Sequence, residues 1–254
     1  MHSHYSLFHS KYLERPVDIA GYALTLDHPF EHVIIINDGQ DLIHMDLKTL
    51  LKQGGANTLI IGCEAAKGEQ RKQEYGVQWA ADYAGRGSKA NQYAKFVTDE
   101  LIPWISSEFN LSPTVYRTIA GWSLGGLSAI DIAWHASHLF QKIGVFSGSF
   151  WWRNPFLIKD DVHHRLMHHK VKHTAAAPPL KFWFQAGTED EKADRNNNGI
   201  IDAIDDTLDL ITELEAKGYK QGKDMHFHIV EGGKHDVQTW ADVMPMFMEW
   251  VMAG

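Results

Sequence analysis

The chain has 254 residues, 44% of them hydrophobic and 22% charged, a composition typical of a globular protein and unlike that of disordered, fibrous or membrane-spanning chains. Its 24 basic and 32 acidic residues give a formal charge of -8 without a long basic block, which argues against nucleic acid and membranes as partners. The sequence has a single cysteine, Cys63, and it has neither an apolar run of about 18 residues nor a signal-peptide pattern at the N-terminus. These features predict a cytoplasmic protein.

Short apolar runs alternate along the chain with segments of helical periodicity, the pattern of a mostly parallel sheet with helices on both faces. Strands are predicted at His32–Asn37, Thr58–Cys63, 115–121, 143–147, 180–186 and 225–230, and helices at 42–53, 90–105, 203–217 and 237–251. Pro103 should kink the second of these helices. Two insertions interrupt the alternation: 150–179, rich in aromatic residues and histidine, and 187–202, rich in acids and asparagine. We expect a single α/β domain over residues 1–254.

The segment Gly121-Trp122-Ser123-Leu124-Gly125 matches the G-x-S-x-G pattern of a nucleophile elbow. It lies where a predicted strand ends and a helix begins, which is the context that this tight turn requires. Glycines leave room for the turn, and the helix N-terminus points at developing negative charge. The motif therefore predicts Ser123 as a catalytic nucleophile on an α/β-hydrolase fold.

A serine nucleophile needs a base and an acid, which in this fold follow it in the order serine, acid, histidine. His235 follows the last predicted strand in a glycine-containing loop, and it is the predicted base. The acid should follow the preceding strand. Asp190 is preferred there because its short side chain lies three residues after Gly187, with Glu189 as the alternative.

An oxyanion hole requires two backbone N–H groups near the nucleophile. Leu124 supplies the first, directly after Ser123. Gln40 is predicted to supply the second from the turn after strand His32–Asn37, with Asp41 as an alternative, and Asp38 is interpreted as a turn residue.

The chain resembles the enterochelin-esterase-like Putative esterase family of α/β-hydrolases, which includes feruloyl esterases, S-formylglutathione hydrolases and mycolyltransferases. The resemblance rests on segments spread over most of the chain: 37–40, Arg71 with 74–75, 85–87 leading into 100–103, 121–126, 147–152, and 232–235 with Trp240. It implies a serine esterase that works through an acyl-enzyme, with Ser123 and His235 matching directly. Some relatives work with a Ser-His dyad, so the acid stays open. The charge of -8 favours neutral or weakly charged esters over polyanionic siderophores.

Aromatic and basic residues near the predicted site are candidates for substrate contact. They are Arg71, Tyr75, Trp122, Trp151 and Trp152. No cofactor is expected for catalysis, the expected partner is a small-molecule ester, and the oligomeric state is left open.

Residues 194–205 resemble the calcium loop of an EF-hand, with oxygen side chains at positions 1, 3, 5, 9 and 12 and glycine at position 6. The candidate ligands are Asp194, Asn196, Asn198, the carbonyl of Ile200, Asp202 and Asp205. A structural calcium ion is predicted, and a metal-free turn rich in Asp and Asn is the alternative. The histidines of 163–173 have spacings that allow two of them to bind a transition metal, although a solvated helix is the favoured interpretation.

Two other functions fit the same motifs. One is acyl transfer on the same triad, which product analysis with added alcohols would distinguish from hydrolysis. The other is a catalytically inactive, calcium-dependent binding module, in which a serine-directed fluorophosphonate would not label Ser123.

Overall fold

The computed structural model describes residues 1–253 and contains an eight-stranded sheet in the order β1-β2-β4-β3-β5-β6-β7-β8. The strands are β1 His2–Ser10, β2 Arg15–Ala23, β3 His32–Asn37, β4 Thr58–Cys63, β5 Tyr116–Trp122, β6 Lys142–Phe146, β7 Lys181–Glu189 and β8 Met225–Lys234. Strands β1 and β2 pair antiparallel, β2 joins β4 antiparallel, and the other neighbours are parallel. The carboxyl ends of β3 to β8 therefore lie at one edge of the sheet.

Eight α-helices connect and cover these strands within the described residues. They are α1 Leu47–Gly54, α2 Glu69–Glu74, α3 Ala90–Lys95, α4 Ile102–Glu108, α5 Leu124–His135, α6 Leu166–His173, α7 Asp202–Ala216 and α8 Val237–Met252. None of the helices within residues 1–253 combines the length and the apolar character that crossing a membrane requires.

The alternating side chains of the strands divide the core into two layers. Val33 and Ile35 of β3 face the layer that α3 to α7 cover, whereas Ile34 and Ile36 face α1 and α8. All four are fully buried. This explains why the central strands appear in the sequence as continuous apolar runs, because a strand covered on both faces has no polar side.

The predicted α/β-hydrolase architecture is confirmed, with two strands added. The β1–β2 hairpin was not predicted because β1 is an edge strand with polar residues on one side and exposed apolar residues on the other, among them Tyr5 (70% exposed) and Leu7 (55% exposed). Such a strand lacks the apolar run that indicates a buried one.

Two predicted helices are divided in the structure. The segment 42–53 begins inside a 3-10 turn, Gly39–His44, and continues as α1. The start of α1 is capped by the carboxylate of Asp46, which accepts a hydrogen bond from the Thr49 N–H at 3.1 Å. The segment 90–105 is α3, a π-helical stretch Phe96–Leu101 and α4. Pro103 has no N–H to donate to the preceding turn, and the wider π turn accommodates that lost bond.

Candidate active site

Ser123 occupies the sharp turn between β5 and α5 with φ 56° and ψ -125°, a left-handed conformation that non-glycine residues rarely adopt. The turn is held by the Ser123 N–H, which donates to the carbonyl of Phe146 at 2.9 Å. The backbones of Gly121 and Gly125 pass so closely that a Cβ added to Gly121 would lie 2.6 Å from the carbonyl carbon of Gly125. The glycines of the motif thus permit a strained turn that presents the serine hydroxyl at the sheet edge.

The hydroxyl of Ser123 has a neighbour that the sequence motif did not indicate. Its Oγ lies 3.3 Å from the Oγ of Ser149, and the Ser149 N–H donates to the carbonyl of Ser123 at 3.2 Å. Ser149 is 2% exposed and follows β6, the strand next to β5. It therefore contacts the predicted nucleophile from the adjacent strand end.

Asp190 follows β7 and is fixed by a chain of hydrogen bonds. The indole Nε1 of Trp240 donates to the Ser147 hydroxyl at 2.9 Å, and that hydroxyl donates to Asp190 Oδ1 at 3.1 Å. The second carboxylate oxygen, Oδ2, is buried and has no hydrogen-bond partner among the described residues. Burial raises the pKa of Asp190, while the hydrogen bond from Ser147 and the charge of His235 oppose that rise.

His235 follows β8 and lies edge-on against the ring of Trp240, with ring centroids 5.3 Å apart. Burial of part of the imidazole lowers its pKa, and the charge of Arg71 lowers it further, whereas the charge of Asp190 raises it. One side of His235 stays exposed to solvent. The three predicted residues Ser123, Asp190 and His235 thus follow the strands β5, β7 and β8 at the same edge of the sheet.

The turn after β3 is hydrogen-bonded to the turn that carries Ser123. Asn37 donates from Nδ2 to the carbonyl of Gly125 at 2.8 Å and accepts from the Tyr93 hydroxyl at 2.7 Å. Asp38 is buried, with φ 58°, and receives two hydrogen bonds from the guanidinium of Arg71, at 2.7 and 2.8 Å. These contacts fix the backbone on which the predicted oxyanion donor Gln40 lies.

Gln40 and Leu124 both lie in the first turn of a helix, where backbone N–H groups have no partner within the helix. Gln40 belongs to the 3-10 turn Gly39–His44, and Leu124 is the first residue of α5. The side chain of Gln40 accepts from the Ala65 N–H at 3.1 Å, which fixes its position. The alternative donor, Asp41, uses its N–H to bond the carbonyl of Asp38, so the structure favours Gln40.

Three of the five residues expected to contact substrate lie in the core instead. Tyr75 and Trp122 are 1% exposed and Trp152 is 0% exposed, so none of them has surface for a ligand. The Tyr75 hydroxyl accepts from the Asp38 N–H at 3.1 Å, and Trp122 stacks on Trp240. The expectation for these three is corrected: they support the site from beneath, because the large aromatic side chains next to the strand ends fill the core there.

Arg71 and Trp151 stay partly exposed. Arg71 lies over the Tyr75 ring at 5.0 Å, in addition to its ion pair with Asp38. Trp151 packs against Trp152 and lies beside the guanidinium of Arg86. These two remain candidates for substrate contact.

The acidic loop 194–205 brings three of its six predicted ligands together. Oδ2 of Asp205 accepts from the amides of Asn196 and Asn198, at 2.8 and 3.0 Å. The carboxylate of Asp194 accepts from backbone N–H groups across the loop. Helix α7 begins at Asp202, which also receives the N–H of Arg195 at 2.9 Å. Carboxylate and amide oxygens at one end of a helix are a donor set suited to calcium.

Comparison with known proteins identifies one family. The model of the family described as "Putative esterase" matches residues 27–249. The iron(III) enterobactin esterase of Dickeya dadantii is 27% identical over 165 residues, which cover 62% of this chain and 34% of that protein.

Solved structures of esterases share the fold. The enterobactin esterase FES from Shigella flexneri superposes with a TM-score of 0.76 and 17% identity, covering 99% of this chain and 58% of that one. A ferulic acid esterase superposes with a TM-score of 0.68 and 14% identity, covering 99% of this chain and 97% of the other. The chain therefore spans less than two thirds of the enterobactin esterases and nearly all of the ferulic acid esterase.

Proposed function

The chain belongs to the Putative esterase family, and from this premise we propose that it hydrolyses carboxylic esters through an acyl-enzyme formed on Ser123. The observation that carries the proposal is the conformation of Ser123, with φ 56° and ψ -125° at the junction of β5 and α5. A non-glycine residue persists in such a strained conformation only where the surroundings impose it, and such strain concentrates at active sites.

The proposed reaction proceeds in two halves. His235 takes the proton from the Ser123 hydroxyl, and Oγ attacks the ester carbonyl to form a C–O bond. The oxyanion accepts hydrogen bonds from the N–H groups of Gln40 and Leu124. When the intermediate collapses, the ester C–O bond breaks and the alcohol leaves with the proton from His235. Water then repeats the sequence on the acyl-enzyme and releases the acid.

Asp190 is proposed as the acid of the triad. Its buried Oδ2 has no hydrogen-bond partner among residues 1–253, while Oδ1 is held by Ser147. A buried carboxylate oxygen without a partner is costly, and a protonated His235 would supply the missing donor during the reaction. Glu189, the alternative, lies exposed at the end of β7 and lacks this support.

A neutral or weakly charged ester is the proposed substrate class. Two of the three nearby guanidinium groups are already paired, Arg71 with Asp38 and Arg86 with Asp82, while the third, on Arg153, lies over the Tyr83 ring. Paired cations leave little net positive charge for a polyanion such as a ferric siderophore. The ferulic acid esterase, whose length this chain matches, is named for a monocarboxylic acid, and esters of such acids belong to the favoured class.

A calcium ion in the loop 194–205 is proposed as a structural element. The convergence of Asp205 with Asn196 and Asn198 supports it, because three of the proposed ligands already lie together. Asp194, Asp202 and the carbonyl of Ile200 would complete the oxygen donors. The ion would fix the segment that follows Asp190 without entering the reaction.

Hydrolysis of short-chain p-nitrophenyl esters tests the proposal. We expect Ser123→Ala and His235→Ala each to lower kcat by about 10³-fold or more, because each removes a group that exchanges the proton. His138→Gln, an exposed histidine on the surface, is the matched control and should keep wild-type rates. Equal rates in all four proteins would refute the assignment of nucleophile and base.

A further inference from the structure

The insertion 150–179 carries a cluster of three side chains that the proposed reaction does not use. His169 and His173 lie one turn apart on α6, so their imidazoles share a helix face and their ring centroids are 4.2 Å apart. Asp160 reaches them from the preceding loop. Its two carboxylate oxygens lie 2.8 Å from His169 Nδ1 and 2.6 Å from His173 Nε2.

The ligating atoms of these three residues all lie within 4.8 Å of one another. A zinc ion binds imidazole nitrogen and carboxylate oxygen at about 2.0–2.2 Å, which places neighbouring ligand atoms of a tetrahedral site about 3.3 Å apart. The observed hydrogen bonds are somewhat shorter than that spacing, and a metal in place of the shared protons requires only small movements of the exposed side chains.

The surroundings leave one side of the cluster open. His169 and His173 line a cavity of about 650 Å³ together with Trp79, Trp134 and His135. The side chains of Asp160 and His173 are 37% and 53% exposed, so an ion can enter from solvent. The Nζ of Lys172, a side chain that is 44% exposed, lies 3.7 Å from Asp160 Oδ2. A fourth coordination position would thus be available to water or to a small ligand in the cavity.

We propose that Asp160, His169 and His173 form a binding site for a divalent transition-metal ion of the Zn²⁺ class. Two imidazoles and one carboxylate favour such ions over Ca²⁺ and Mg²⁺, which prefer oxygen ligands. The site is separate from the loop 194–205, whose donors are all oxygens. A bound ion would connect the loop that carries Asp160 to α6 and would hold this part of the insertion in place.

Titration of the metal-stripped full chain with Zn²⁺ by isothermal calorimetry tests the site, with Co²⁺ as a spectroscopic probe. We expect one high-affinity ion per chain and visible Co²⁺ absorption bands of a site with nitrogen ligands. His169→Gln, His173→Gln and Asp160→Asn should each weaken Zn²⁺ binding by about tenfold or more, since even the outer partners of metal ligands act on this scale.

Two controls separate this site from other sources of binding. His138→Gln removes an exposed histidine elsewhere, and Asp194→Asn with Asp205→Asn alters the acidic loop; both proteins should bind Zn²⁺ as tightly as the wild type. Melting temperatures without metal establish that every variant is folded. An absence of stoichiometric Zn²⁺ binding in the wild type, or equal affinity in the three cluster variants, would overturn the proposal and leave a metal-free acid–histidine cluster.

Discussion

The two carboxylate oxygens of Asp190 have different surroundings in the proposed triad. One oxygen accepts from Ser147, whose hydroxyl in turn accepts from Trp240, and the other oxygen is buried and has no partner in the described part of the chain. Trp240 also lies against the ring of His235. The same tryptophan therefore contacts the base directly and the acid through Ser147.

This arrangement predicts different outcomes for the two candidate acids. Asp190→Asn should lower kcat by about 10²–10⁴-fold, because an amide cannot stabilise the imidazolium that forms on His235. Glu189→Gln should change kcat less than about threefold, because an exposed side chain gains or loses little through a neutral replacement. Steady-state kinetics of both variants measures the difference. A larger loss of kcat in Glu189→Gln than in Asp190→Asn would identify Glu189 as the acid.

The lowered pKa of His235 fixes the sign of the pH dependence. The imidazole must be neutral to accept a proton from Ser123, so activity should fall as the pH drops through its pKa. Burial and the charge of Arg71 place that pKa below the ordinary value near 6.5. A profile of kcat/KM against pH should have its acidic midpoint below 6.5. A midpoint clearly above 6.5 would contradict the described environment of His235.

At the residue scale, the sequence predicted the groups that carry a motif and missed those that support them. Ser123 and His235 follow predicted strands in recognisable segments, and both lie where the strand order places them. Ser147 and Ser149 lie in a segment that carries the family resemblance, but only the three-dimensional contacts reveal their partners. Trp122 and Trp152 were assigned to a pocket because an aromatic residue beside a strand end has the same sequence signal whether it faces substrate or fills the core.

Among the elements, the parallel strands explain how distant segments meet. Strand β5 pairs with β3 on one side and β6 on the other, and β7 and β8 continue the parallel order. The segments that follow these strands thus gather at one edge, as they do in open α/β sheets generally. Continuous apolar runs made this part of the fold predictable from sequence. The β1–β2 hairpin was missed because its alternating, half-exposed residues give no such run.

The loop 194–205 provides a prediction at this scale. Calcium at 100 times its Kd should stabilise the folded chain by about 2.7 kcal/mol, a rise of about 5–10 °C in Tm. Asp194→Asn with Asp205→Asn should abolish the rise, because it removes two of the carboxylates. Differential scanning calorimetry with Ca²⁺ and with EDTA measures the effect.

The matched control is Glu213→Gln, which changes an acid on α7 outside the loop and should keep the calcium effect. Activity well below Tm should be the same in Ca²⁺ and EDTA, since the ion is not assigned a chemical step. Identical melting curves in Ca²⁺ and EDTA, with no calcium found by elemental analysis, would count against the loop as a calcium site.

At the scale of the whole molecule, most of the net negative charge lies in one segment. Residues 186–210 contain eight acidic and two basic residues, a charge of -6 out of the total of -8. Within this region Arg195 pairs with Asp202 and Asp206, and Arg165, from outside the segment, pairs with Asp161, Asp206 and Asp209. The rest of the chain is nearly neutral, in keeping with a neutral or weakly charged substrate.

The proposed chemistry also depends on the whole molecule, since its three residues follow β5, β7 and β8, whose carboxyl ends come to the same edge only in the folded sheet. The most direct test is therefore covalent labelling of the intact chain by a fluorophosphonate, with the modified residue located by peptide mass spectrometry. We predict one label per chain, on Ser123, and a labelling rate that falls by about 10²-fold or more in His235→Ala. Ester hydrolysis with no label on Ser123, or with the label on another serine, would contradict the account.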